Sequence, residues 1–318
     1  MQHSATHGRA NDKTSGWDAG GPPQFVTFDP LLPAAVAARA ELSGVKKATT
    51  DTLTLLVLAI LAGAFISFGA IFATTVGAGS ISVVAADGTT QFSTALPYGV
   101  TKLLVGLAFS VGLILVLVGG AELFTGNTMI VMAWANRKVS TRNLLLNWLI
   151  VFCGNFVGAF LTAVLMFYST QYTFGSGAVG LSALYTAHSK AMLGFVPAVA
   201  LGILCNALVC LAVWMCYGAR TTLEKIFVII PPVAAFVAAS FEHSIANIYY
   251  LSFALFIKDG APDPFWSSIH KTAADFPALT WENFLVGNLL PVTIGNIIGG
   301  SIMVGAVYWF VYLRRKTD

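Results

Sequence analysis

Apolar residues run almost unbroken through six stretches, near 53–76, 98–135, 143–168, 191–217, 226–257 and 284–312. None shows the strict alternation of apolar and polar positions that marks a barrel strand, so each predicts a membrane-spanning helix. A bilayer core of roughly 30 Å needs about 20 helical residues, and every stretch is long enough. The second and fifth are too long: 226–257 as one helix would extend about 48 Å at 1.5 Å per residue. Both carry polar groups at depth, AELFTGN at 121–127 and FEHSIAN at 241–247. Polar backbone in a membrane is tolerated only where it is buried in protein or lines a wet cavity, so a break is expected in each of the two spans.

The second span offers Gly119, Gly120 and Gly126 for the break, with Asn127 or Thr128 to cap the helix that restarts. The fifth offers a kink at Pro231 and Pro232 and a cap at Ser240 or Ser244. Half-helices restarting there would aim positive dipole ends at the membrane interior, which favours an anion.

Ahead of the spans, residues 1–28 are polar and rich in Gly, Ser and Asn, with no apolar stretch of signal-peptide type. They read as a disordered tail, in which His3 and His7 carry no metal. Residues 29–50 group Leu31, Leu32, Ala35 and Val36 ahead of Arg39, Lys46 and Lys47, as an amphipathic helix on a membrane surface would. Residues 51–313 then form the six-helix domain, and 314–318 a short tail.

Composition removes the soluble alternative: 57% of the 318 residues are hydrophobic, 10% are charged, and the mean hydropathy is +0.78. The net charge of +3 matters less than its distribution. Cations crowd the segments before the first span, between the second and third, between the fourth and fifth, and after the sixth. Only Lys102, Lys190, Lys258 and Lys271 fall on the other side, so both termini are expected in the cytoplasm. Cys153, Cys205, Cys210 and Cys216 lie within apolar spans without metal-ligand spacing and read as core packing.

The spans also repeat. NWLIVFCGNFVG from Asn147 and NLLPVTIGNIIG from Asn288 align without a gap, matching Asn147, Gly154, Asn155 and Gly158 to Asn288, Gly295, Asn296 and Gly299. Glu122 and Asn127 have the same separation as Glu242 and Asn247. Both echoes pair a span with the one three places later. Three is odd, so the fold expected is all-α, six transmembrane helices in an inverted 3+3 repeat with the second and fifth broken.

An ionisable group inside a bilayer marks a functional site by default. His243 is expected to hydrogen-bond an anion or hand it a proton, or else to hold a loop carbonyl. Thr125 supplies a hydroxyl, and Lys190 and Asn206 lie on or near the fourth span, the lysine at its outer entrance. Glu242 is expected to tie the broken loop to Lys190 or Asn247. Phe109, Leu113, Leu123, Phe124, Val209 and Phe236 are candidates for apolar constrictions. The glycine pairs allow close helix approach. No P-loop lysine, HExxH, GxSxG or membrane aspartate pair is present, so an enzyme is disfavoured, and the two NPA boxes of a water channel are missing. No cofactor and no nucleic-acid partner are expected.

From about Phe28 to Leu313 the chain resembles the formate/nitrite transporter family, most closely its formate-channel branch. The motifs that carry the resemblance are GGAELFTGN, NWLIVFCGNFVGA, LGILCNALVCLAVWM, FEHSIANIYYL and NLLPVTIGNIIGGSIMVG. It implies a homopentamer of aquaporin-like protomers in the bacterial cytoplasmic membrane, each passing a small monovalent anion. Formate comes first; nitrite or hydrosulfide is the alternative within the family, and a non-transporting scaffold or sensor the alternative outside it. By the same resemblance, Thr125 belongs to the loop that interrupts the second helix and His243 is the pore histidine. Leu123, Phe124, Phe236 and Val209 match an outer constriction, Phe109 and Leu113 a cytoplasmic slit. Lys190, Asn206, Glu242 and Asn247 match polar positions around the vestibule and the histidine. A cytoplasmic formate-producing enzyme is an implied partner. The chain departs from the branch pattern Asp-Leu-Phe-Thr-Ser at Glu122 and Gly126, and its N-terminal segment is long.

Overall fold

The computed structural model describes residues 31–84, 90–94 and 96–314, so the proposed tail at 1–28 and positions 315–318 lie outside it. Within the segment 29–50 the chain forms a helix, α1 (Pro33–Thr49). Among the described residues five helices are long and apolar enough to cross a membrane: α2 (Thr52–Val76), α3 (Tyr98–Gly119), α6 (Thr141–Tyr168), α8 (Phe195–Gly218) and a C-terminal helix (Asn283–Leu313). Two short pieces, α4 (Phe124–Asn127) and α5 (Val131–Ala135), follow α3. The remainder are α7 (Ala178–Ala191), α9 (Thr222–Ala238), α10 (Ser244–Gly260) and α11 (Asp263–Ser268). Between α2 and α3 the all-α expectation needs an amendment: β1 (Ile81–Val84) and β2 (Thr90–Thr94) pair antiparallel.

Helix starts follow local chemistry. The Asp51 carboxylate accepts from the N–H groups of Leu53 and Thr54 at 3.1 and 3.0 Å, fixing the start of α2. Ser140 does the same for α6, accepting from Asn143 N–H at 3.1 Å. Within α2 the inward stripe is Ala59, Ala62, Gly63, Ile66, Gly69, Ala70 and Ala73, and the outward one is Leu53, Val57, Leu61, Phe68 and Phe72. Apart from Leu55 and Ile66 the inward residues are small and the large ones face out, the arrangement that lets helices approach closely.

Close approach is set by the paired glycines. A Cβ on Gly158 would run into the carbonyl oxygen of Ile60 in α2, and one on Gly299 into that of Ile203 in α8. Cys205, Cys210 and Cys216 are buried as expected, but Cys153 is exposed on α6, so it does not pack a core in the protomer.

Both long spans are broken within the stretches expected, but the residues that kink and cap the breaks differ from those expected. After α3, Gly120 turns with φ 77° and the chain runs extended to Leu123. Gly126 and Asn127 lie inside the helical turn that follows, so neither Asn127 nor Thr128 caps it. In the second half, Pro231 and Pro232 sit inside a helix that continues past them to Ala238. The break covers residues 239–243, with Ser240 at φ 57°. Its cap is neither serine: His243 Nδ1 accepts from Ala246 N–H at 3.1 Å.

Each break is held by one asparagine. Asn155 Oδ1 accepts from Phe124 N–H at 2.8 Å, while its Nδ2 donates to the carbonyls of Ala59 and Glu122 at 2.7 and 2.9 Å. Asn296 Oδ1 accepts from Ser244 N–H at 2.9 Å, and its Nδ2 donates to Gly202 and Glu242 carbonyls at 2.8 and 2.9 Å. One N–H and one carbonyl of each break are thereby paired within the protein.

Two outcomes follow from this packing. Gly158→Ala or Gly299→Ala is expected to destabilise the detergent-solubilised protein by about 1–3 kcal/mol, since a methyl group must displace a helix carbonyl. An unchanged thermal midpoint would refute the contact. Asn296→Leu should leave Ser244 N–H and the Glu242 carbonyl without their partner in a buried site, each costing about 1–3 kcal/mol. Hydrogen exchange over residues 241–250 is expected to accelerate at least roughly tenfold relative to the middle of α10, and unaltered protection there would remove the clamp role.

Candidate functional site

A cavity of about 560 Å³ opens between α3, α7, α8, α9 and α10 and is floored by the second break. Its wall is graded. Tyr185, Ser189, Ala239 and Ser240 are exposed and form the rim, whereas Phe109, Phe236, Glu242, His243 and Asn247 are buried and form the depth.

Thr125, from the first break, meets His243, from the second, with Oγ1 and Nε2 3.1 Å apart. The cap decides the tautomer. Because Nδ1 accepts from Ala246 N–H, the neutral ring carries its proton on Nε2, which donates to Thr125 Oγ1. The threonine hydroxyl keeps its own proton to offer elsewhere. Phe236 stacks on the imidazole at 6.1 Å between centroids, with 17° between the planes.

Behind Thr125 lies a polar brace. Its carbonyl accepts from Thr128 Oγ1 at 2.6 Å, Asn206 Nδ2 at 3.2 Å and Cys210 Sγ at 3.5 Å. Asn206 also donates to the Asn296 carbonyl at 2.6 Å, linking the threonine loop to the second clamp. It is absent from the cavity lining, so its place is behind the site rather than around the vestibule.

Glu242 makes both of the ties expected of it. Its Oε1 accepts from Lys190 Nζ at 2.7 Å and its Oε2 from Asn247 Nδ2 at 2.6 Å. Lys190 belongs not to the fourth span but to the last turn of α7, and Asn288 Nδ2 donates to its carbonyl at 3.0 Å. Asn247 Nδ2 also reaches Asn288 Oδ1 at 2.8 Å, and Asn247 Oδ1 is buried without a partner.

The same network recurs in the first half around a residue the sequence reading treated only as a surface cation. Lys47 Nζ bonds both Glu122 oxygens at 2.8 Å and Asn127 Oδ1 at 3.0 Å. Asn127 Nδ2 donates to Glu122 Oε2 and Asn147 Oδ1, and Asn147 Nδ2 to the Lys47 carbonyl. A signal existed: Lys47-Ala48 precedes Leu58 by the spacing at which Lys190-Ala191 precedes Leu201, and those leucine carbonyls accept from Glu122 N–H and Glu242 N–H.

The constriction candidates divide differently from the grouping that the resemblance implies. Phe109 packs edge-on against Phe236 at 5.9 Å, and both line the cavity. Leu113, Leu123, Phe124 and Val209 are buried but do not line it, and Phe124 packs instead on Phe152 of α6 at 5.1 Å. Phe109 thus shares a level with Phe236 rather than with Leu113.

This geometry, a threonine and a histidine brought together from two clamped breaks, can be set beside known proteins. The chain is 46% identical over 289 residues to the formate channel FocA of Escherichia coli strain K12, covering 91% of this chain and 97% of that one. It is 38% identical over 291 residues to the formate channel FocB of the same strain, covering 92% and 98%. Its fold matches a solved structure described as a pentameric formate channel with formate bound, at a TM-score of 0.74 and 43% identity, over 83% of this chain and 98% of that one. The family model for formate/nitrite transporters matches residues 34–310, which takes in both breaks, both clamps and both lysine networks, and the chain belongs to that family.

Proposed function

We propose that the protein is a channel for small monovalent anions, with formate first among them, and that the Thr125–His243 pair is the point at which the anion is solvated. The carrying observation is the 3.1 Å contact between two donors that neither half of the chain supplies alone. Formate is the substrate named for FocA and FocB, and a formate-bound pentamer shares the fold, which supports both the substrate and a homopentamer of independently conducting protomers. Segregation of cations supports a cytoplasmic-membrane protein with both termini inside. The repeated bonds around Lys47 and Lys190 support two halves of opposite orientation, with the aquaporin-like inverted 3+3 arrangement that follows.

In this reading an anion passes the aromatic level of Phe109 and Phe236, sheds water, and takes hydrogen bonds from the Thr125 hydroxyl and from His243 Nε2–H, which turns from Thr125 Oγ1 to the anion. Charge in a narrow apolar passage is costly unless such donors replace its hydration. The four-residue α4 has little dipole of its own, so on that side the hydroxyl rather than the helix end supplies the donor. The Nδ1 cap favours hydrogen bonding over proton delivery, because a ring that donates a proton and remains a neutral imidazole must first be protonated at Nδ1, and Ala246 N–H occupies that lone pair. A nitrite or hydrosulfide ion would meet the same donors. A cytoplasmic formate-producing enzyme is a further proposed partner.

Thr125→Ala removes one hydroxyl and leaves the apolar frame, so formate flux or selectivity among formate, nitrite, hydrosulfide and acetate should fall in proteoliposomes while the oligomer survives. Wild-type flux for every anion would end the role of Thr125. His243→Asn retains a cap and a donor and is expected to conduct with the wild-type pH profile, whereas His243→Phe loses flux. A pH profile altered only in the asparagine variant would instead establish proton delivery by the histidine, and a scaffold would give no formate-driven swelling at all.

A further inference from the structure

The charged or titratable groups with acidic or basic side chains lining the cavity are Lys102, Lys190, Glu242 and His243. Lys190 and Glu242 are 2.7 Å apart, with side chains 15% and 3% exposed, so their charges cancel at any distance beyond the pair itself. His243 is neutral in the tautomer its cap fixes. Lys102 is different. It lies in the first turns of α3, near the rim, and has no carboxylate within 4.0 Å among the described residues. Its ammonium is nonetheless held in place: Nζ donates to Ser240 Oγ at 3.0 Å and sits 5.5 Å from the centroid of the Tyr98 ring. Among the described residues one of its three donors is used and two remain.

We infer that Lys102, rather than Lys190, supplies the uncompensated charge that draws anions into the vestibule, and that Ser240 in the strained break loop fixes where that charge sits. This rests on the channel reading above. A cleft with low-dielectric walls focuses the field of a single unpaired charge and raises the local concentration of counter-ions. A paired charge gives only a short-range dipole. Lys190 is then a strut that holds Glu242 and α10 in place, while Lys102 acts before the anion reaches Phe109 and Phe236.

The test is initial formate uptake by reconstituted pentamer across a range of ionic strength, for wild type, Lys102→Gln, Lys102→Arg and Ser240→Ala. Lys102→Gln keeps a donor and loses the charge; its uptake is expected to fall roughly three- to tenfold near 10 mM salt and to meet the wild type near 1 M, where screening acts over about 3 Å. Lys102→Arg should stay within about twofold of wild type, and Ser240→Ala should keep the salt dependence, since the charge remains. Wild-type uptake by Lys102→Gln at low salt overturns the inference and leaves the channel intact. So does a loss that is equal at every salt concentration, which would make Lys102 a structural tether. A wild type that passes no formate overturns the channel reading and this inference together.

Discussion

Everything at the centre of this protein depends on satisfying the backbone where two helices stop inside a membrane. Without water, a broken helix leaves N–H and C=O groups that cost several kcal/mol each. One carboxamide per break answers this. Its oxygen takes the first N–H of the new helix, and its nitrogen gives to a carbonyl on the break and to one on a neighbouring helix. The side chain therefore satisfies the chain end and also fixes it against α2 or α8. That fixation sets the position of Thr125 and His243, which sit next to the clamped residues Phe124 and Ser244.

The two halves repeat this chemistry but load it differently. Lys47 is saturated, its three donors going to both oxygens of Glu122 and to Asn127 Oδ1, and it takes no part in lining the cavity. Among the described residues Lys190 Nζ donates to Glu242 Oε1 and faces the Tyr250 ring at 5.6 Å, and the amide oxygen of Asn247, matched in the repeat by the satisfied oxygen of Asn127, has no partner. A duplicated framework has thus been saturated on one side and left with spare hydrogen-bonding capacity on the other.

How much of this the sequence carries depends on the kind of signal. Span positions follow from length and apolarity, and the breaks follow from AELFTGN and FEHSIAN being too polar and too deep. The ties of Glu242 to Lys190 and Asn247 were legible because a buried carboxylate needs partners. The caps were not. In the second break serine was the local candidate, whereas the actual cap is an imidazole whose second nitrogen is committed across the molecule, and its choice depends on tertiary placement. Nor could periodicity assign faces in α2, since Leu53 and Leu55 are equally apolar yet one is 70% exposed and the other 3%. The outward position of Cys153 and the level shared by Phe109 and Phe236 escape for the same reason: apolarity says a residue avoids water, not which neighbour it meets.

One ring at position 243 belongs to folding through Nδ1 and to the pore through Nε2. The position is therefore narrow in the repertoire it admits. Side chains that accept from an N–H two or three residues ahead are few, and of these only an imidazole or a carboxamide also presents a donor on its far side. Variation that might retune the pore must first pass as a helix start. Diversity among channels built this way is accordingly easier to reach at Thr125, at the aromatic level or at the vestibule rim, where no side chain begins a helix.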